Sequence, residues 1–73
     1  MIENPEVARE VSELMLGIND RLEQSVNIVR ANCSLDEART FGMAAGNIIN
    51  LIFERILDPL YLKHPALKPS GLD

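Results

Sequence analysis

Cysteine, histidine and aromatic residues are nearly missing from this chain. Its 73 residues include one cysteine (Cys33), one histidine (His64), no tryptophan, two phenylalanines and one tyrosine. A lone cysteine excludes an internal disulfide, and one cysteine with one histidine excludes a Cys/His zinc cluster. Basic runs are missing too. Arg9, Arg21, Arg30, Arg39, Arg55, Lys63 and Lys68 are scattered, and the formal net charge is −4. Phosphate backbones and anionic membrane surfaces are bound by basic stripes, so neither nucleic acid nor a membrane is expected as a partner. The chain opens Met1-Ile2-Glu3-Asn4, without a basic stretch ahead of an apolar one. The expectation is therefore a cytoplasmic protein with a reduced thiol.

Proline is absent between Pro5 and Pro59, and long helices can fill that space. Asn4-Pro5-Glu6 reads as a helix start, with Asn as N-cap, Pro at the first helical position and an acid in the first turn. Ala8, Val11, Met15, Ile18, Leu22, Ser25 and Val29 then recur in alternating steps of three and four, the seam of a helix packed at a shallow angle. Val7, Leu14, Val26 and Ile28 flank that seam and widen it beyond the needs of a two-stranded coil. Ser34 and Glu37 form a capping box that opens a second helix after a short connection, so the two helices should be antiparallel neighbours.

The expected fold is all-α: an antiparallel two-helix hairpin (helix 5–32, helix 35–57) with a short C-terminal helical turn and tail (58–73). Asp58-Pro59 is expected to interrupt the second helix, because a residue before proline is biased toward extended conformations. In the tail, Tyr61, Leu62, Leu67 and Leu72 are apolar anchors expected to lie across a helix surface.

One feature drives the functional expectation. Residues 41–53, Phe-Gly-Met-Ala-Ala-Gly-Asn-Ile-Ile-Asn-Leu-Ile-Phe, carry no charge. The run is too short to span a bilayer, which takes about 20 residues. A single facing helix does not hide so broad an apolar surface, and a chain this short needs a support that disulfides and metals do not supply here. Two hairpins are therefore expected to pair into a four-helix bundle, as a homodimer or, alternatively, a tetramer.

Ala38, Gly42, Gly46 and Asn50 fall at successive i+4 positions, with Ala45 beside them. Two glycines inside a helix cost about 1 kcal/mol each relative to alanine. Close helix approach would offset that cost, either between subunits or against the first helix of the same chain. Candidate interface residues are Ala38, Gly42, Ala45, Gly46, Ile49, Asn50, Ile52, Phe53 and Ile56. Asn47 and Asn50 either face water or pair with Ser25, Asn27, Asn32 or a second copy. An alternative is a small-molecule pocket beside Gly42 and Gly46, lined by Met15, Phe41 and Met43.

Catalytic constellations do not assemble. The acids Glu6, Glu10 and Glu13 share a stripe, but a di-iron site of the bundle type needs Glu-x-x-His pairs. Cys33 is expected to pack against Ala38 as a small apolar residue, and His64 has no motif-placed partner. No cofactor, metal or catalytic residue is expected. The chain reads as a non-catalytic interaction module with an unidentified protein partner, in the manner of a small adaptor, a regulatory subunit or an immunity or antitoxin-like protein.

Overall fold

A computed structural model describes residues 1–69, and among them every regular element is helical. Helix α1 spans Pro5–Asn32 and helix α2 spans Leu35–Ile52. A π-helical turn at Phe53–Leu57 joins α2 to helix α3, Asp58–Lys63, and a 3-10 turn follows at Pro65–Leu67.

Local chemistry accounts for the ends. The Asn4 carboxamide oxygen accepts the amides of Glu6 at 3.0 Å and Val7 at 3.3 Å, satisfying donors that a helix start leaves bare. Cys33 turns extended and donates its amide to the Val29 carbonyl, closing α1. The Ser34 hydroxyl then accepts the Glu37 amide at 3.1 Å, while the Glu37 carboxylate accepts the Ser34 amide at 3.0 Å. That reciprocal pair starts α2 two residues after α1 ends, so the chain must reverse.

The Ser34 amide, and after it the Ser34 hydroxyl, hold the Glu37 carboxyl below its ordinary value of 4.5. A depressed carboxylate contributes stability that is complete above 4.5 and is lost as pH falls through the lowered value. Glu37→Gln removes this contribution. The expected outcome is a melting temperature that falls less steeply than wild type on acidification below pH 4.5, read by circular dichroism.

The second helical rod does not stop at Asp58-Pro59, contrary to the sequence expectation. Asp58 is α-helical, with φ −61° and ψ −48°, and its amide donates to the Phe53 carbonyl five residues back. A proline in a helix removes one amide and its ring presses on the carbonyl four residues earlier. The wider π turn makes room for that ring and lets the helical path continue. Asp58 makes no side-chain cap to α3. What the continuation gains is burial: Leu57, Leu60 and Tyr61 are among the most enclosed side chains of the chain.

The two ends of the chain meet there. Lys63 Nζ stands 3.1 Å from the Glu3 carboxylate. His64 Nε2 lies 2.7 Å from the Ile2 carbonyl, which can only accept, so the imidazole donates. The segment after α3 is thus tied to the N-terminus and turned into the 3-10 element rather than irregular throughout; Leu72 lies outside the described residues.

Among the described residues the buried apolar set is small: Ala8, Ala45, Leu57, Leu60 and Tyr61, with Ser12 and Asn19 as buried polar residues. The Ser12 and Tyr61 hydroxyls are 2.6 Å apart and satisfy each other. Leu57, Leu60, Tyr61, Ala8 and Ser12 all belong to the end where α3 meets the start of α1. Toward the connection at Cys33–Ser34, Ala45 is the one enclosed side chain among the described residues of α2. The hairpin is a two-helix layer, 45 × 19 × 15 Å, with a core at one end.

Candidate interaction surface

The side of α1 turned to α2 holds Ala8, Ser12, Met15, Asn19, Leu22 and Val26, which are buried or half-buried. Of the seam read from sequence, Ala8, Val11, Met15, Leu22, Ser25 and Val29 are buried or half-buried, while Ile18 is exposed and Asn19 beside it is buried. Leu14 and Ile28 are also left in solvent, at 65% and 63% exposure, as is Val7. On α2, Ala38, Gly42, Ala45, Gly46, Ile49, Ile52, Phe53 and Ile56 are buried or half-buried. Phe41, Met43, Ile48 and Leu51 are exposed.

An α-helix advances about 100° per residue. On that geometry, Val7, Leu14, Ile18 and Ile28 are displaced from the α2-facing side of α1 in one rotational sense. Phe41, Ala44, Ile48 and Leu51 are displaced from the α1-facing side of α2 in the same sense. In an antiparallel pair, equal senses put both stripes on one broad face of the layer. The opposite face carries Glu13, Asp20, Glu23 and Asn27 of α1 with Arg39, Met43, Gly46, Asn47 and Asn50 of α2.

The predicted site residues therefore separate. Eight of the nine candidate interface residues turn toward α1 or flank the seam with it; Asn50 is exposed on the polar face. Asn47 is exposed as well. Of the partners expected for these amides, Ser25 donates to the Leu22 carbonyl and Asn32 to the Ile28 carbonyl. The glycines are not a close crossing within the hairpin. A Cβ at Gly46 would meet nothing within 4 Å, and one at Gly42 would meet only Val26 Cγ1 at 4.0 Å.

A cleft of about 330 Å³ lies beside them, lined by Glu23, Val26, Asn27, Arg30, Gly42, Gly46 and Ile49. Met15, Phe41 and Met43, expected to line a pocket there, do not border it. Met43 is 67% exposed, and Phe41 borders a separate depression with Asp36, Glu37, Thr40 and Ala44. Because the space at Gly46 is open, Gly46→Ala should stabilise the helix by about 0.5–1 kcal/mol. Thermal unfolding checks this; a loss of stability would mean that something covers Gly46.

Cys33 is exposed at the connection, not packed as an apolar residue, because its backbone serves as the cap of α1. His64 is at the opposite end, against Ile2. The chain's one thiol and one imidazole are thus separated by the length of the layer. Arg9 and Glu13 form an exposed pair at 3.8 Å, a contact of small energetic weight. Among the described residues, no cluster of three or more His, Cys, Asp or Glu could hold a metal ion, and no helix is long and apolar enough to cross a membrane.

Sequence reasoning missed Asn19. It is 6% exposed, and neither its amide nitrogen nor its carbonyl oxygen has a hydrogen-bond partner. Its place in the α2-facing series of α1, one step from Ile18, is the signal that could have found it.

No family model matches the chain, and neither a curated protein nor a solved structure matches it.

Proposed function

We propose that this chain is a non-catalytic helical interaction module that works as a homo-oligomer, two hairpins completing a four-helix bundle in the cytoplasm. The observation that carries the reading is the displacement of both apolar stripes toward one broad face. A helix at the corner of a four-helix bundle has two neighbours, and its apolar residues are centred between them. α1 and α2 each have one neighbour in the chain, and each centres its apolar residues between that neighbour and the open face.

The one-ended core supports the same reading. Single apolar residues in solvent are ordinary, but a contiguous exposed apolar face marks an interaction site. The separation of Cys33 from His64 supports a non-catalytic role. Adaptor, regulatory-subunit and immunity or antitoxin-like roles are all compatible with such a module, with the acidic polar face available to a different protein.

Association that occurs only in the folded state makes melting depend on concentration. The melting temperature should rise steadily as protein concentration is raised. Melting that is independent of concentration contradicts the proposal.

A further inference from the structure

Resting on that homo-oligomeric reading, we infer that the broad face bearing Leu14, Ile18, Ile28, Phe41, Ile48 and Leu51 receives a second copy of this chain. The two-fold axis runs along the layer, so that α1 of each copy lies over α2 of the other.

Three observations choose this occupant and this arrangement. The first is area. The chain extends 45 × 19 Å along its two longer axes, an outline with room for the roughly 800 Å² that each partner contributes to a standard stable interface.

The second is level. The two helices stand side by side at Val26 and Gly42. Counting from there at about 1.5 Å per residue, Leu14 and Leu51, Ile18 and Ile48, and Ile28 and Phe41 share a level to within about 5 Å. Turning one copy over the other about the long axis therefore sets each exposed apolar residue of α1 over one of α2. An axis across the layer instead lays α1 on α1 and loses these matches.

The third is charge. By the same helical geometry, the face carries two acids, Glu10 and Glu37, and two bases, Arg21 and Arg55, so the net charge of −4 lies elsewhere. Glu10 and Arg55 also share a level to within about 5 Å. The long-axis arrangement brings Glu10 of each copy to Arg55 of the other, at the rim of the apolar contact. The glycine cleft and the acidic residues then face outward.

The test uses the full chain. Ile48→Glu places a charge in the apolar contact, and Gly46→Leu places bulk on the opposite face. Ile48 is already half in solvent, so the variant hairpin should keep its helical circular dichroism. By light scattering, Ile48→Glu should raise the dimer dissociation constant about a hundredfold or more, and Gly46→Leu should leave it unchanged. For the arrangement, Cys33→Ser chains carrying Ile18→Cys are mixed with Cys33→Ser chains carrying Ile48→Cys and treated with a short bismaleimide. The mixed cross-linked dimer should exceed both homotypic ones.

A wild-type dimer that survives Ile48→Glu but dissociates with Gly46→Leu overturns the choice of face and leaves the homo-oligomeric reading standing. A wild-type dimer with predominantly homotypic cross-links overturns the long-axis arrangement. A wild-type monomer overturns the homo-oligomeric reading and this inference together.

Discussion

Leu60→Ala should lower the stability of this chain by about 2–5 kcal/mol. Leu60 and Leu57 are the largest fully buried side chains, and both belong to the single enclosed end of the hairpin. Truncating such a leucine costs about 2–5 kcal/mol, combining lost transfer energy with the cavity left behind. Domains of this size hold only about 5–15 kcal/mol in total, so the loss consumes a large fraction. The site has little means to collapse around the gap, because the π turn and Pro59 fix the path of the backbone on its N-terminal side. The tie between chain ends at Glu3–Lys63 and Ile2–His64 should loosen with it, since α3 would lose its anchor on α1. Chemical denaturation of wild type and variant at matched concentration measures the difference. A loss below about 1 kcal/mol would show that α3 is not what holds this end together.

Asn19→Leu should act in the opposite direction. A buried amide without partners costs about 1–3 kcal/mol in desolvation, and an apolar side chain in its place removes that cost. Asn19 has this character at both of its polar atoms. The expected gain is about 1–3 kcal/mol. For a domain of this length that corresponds to a rise in melting temperature of about 4–8 °C for each kcal/mol. A lone buried asparagine can also fix register and subunit number at a cost in stability. The variant should therefore melt higher while showing a broader distribution of masses. A variant that melts lower would show that Asn19 is satisfied in the native assembly.

The parts of this fold legible in the sequence are those set by neighbours a few residues away. Asn4 and Ser34 announce their helices because a cap requires only a side-chain oxygen, two or three amides and an extended φ/ψ. The antiparallel reversal follows from the brevity of the Cys33–Ser34 connection. The all-helical class follows from the spacing of Ala8 through Val29.

What was not legible depends on competition between distant groups. The π turn is one such case: the bias at Asp58 is local, while the burial of Leu57, Leu60 and Tyr61 that overrides it requires α1 to be in place. The burial of Asn19 in place of Ile18 is another. Periodicity located the six seam residues of α1 that are buried or half-buried, but not that Ile18 stays in solvent while Asn19 beside it is enclosed. The small-residue stripe borders the cleft beside Gly42 and Gly46 rather than a close crossing. That cleft lies on the polar face with Met43, whereas Leu14, Ile18, Ile28, Phe41, Ile48 and Leu51 lie on the other.

Absolute mass by light scattering, followed through a dilution series, reads whether a second copy covers the broad apolar face proposed as the interface. Twice the 8.1 kDa chain mass is expected, persisting well below micromolar concentration and falling only on extreme dilution. A folded species of 8.1 kDa at every concentration would contradict it.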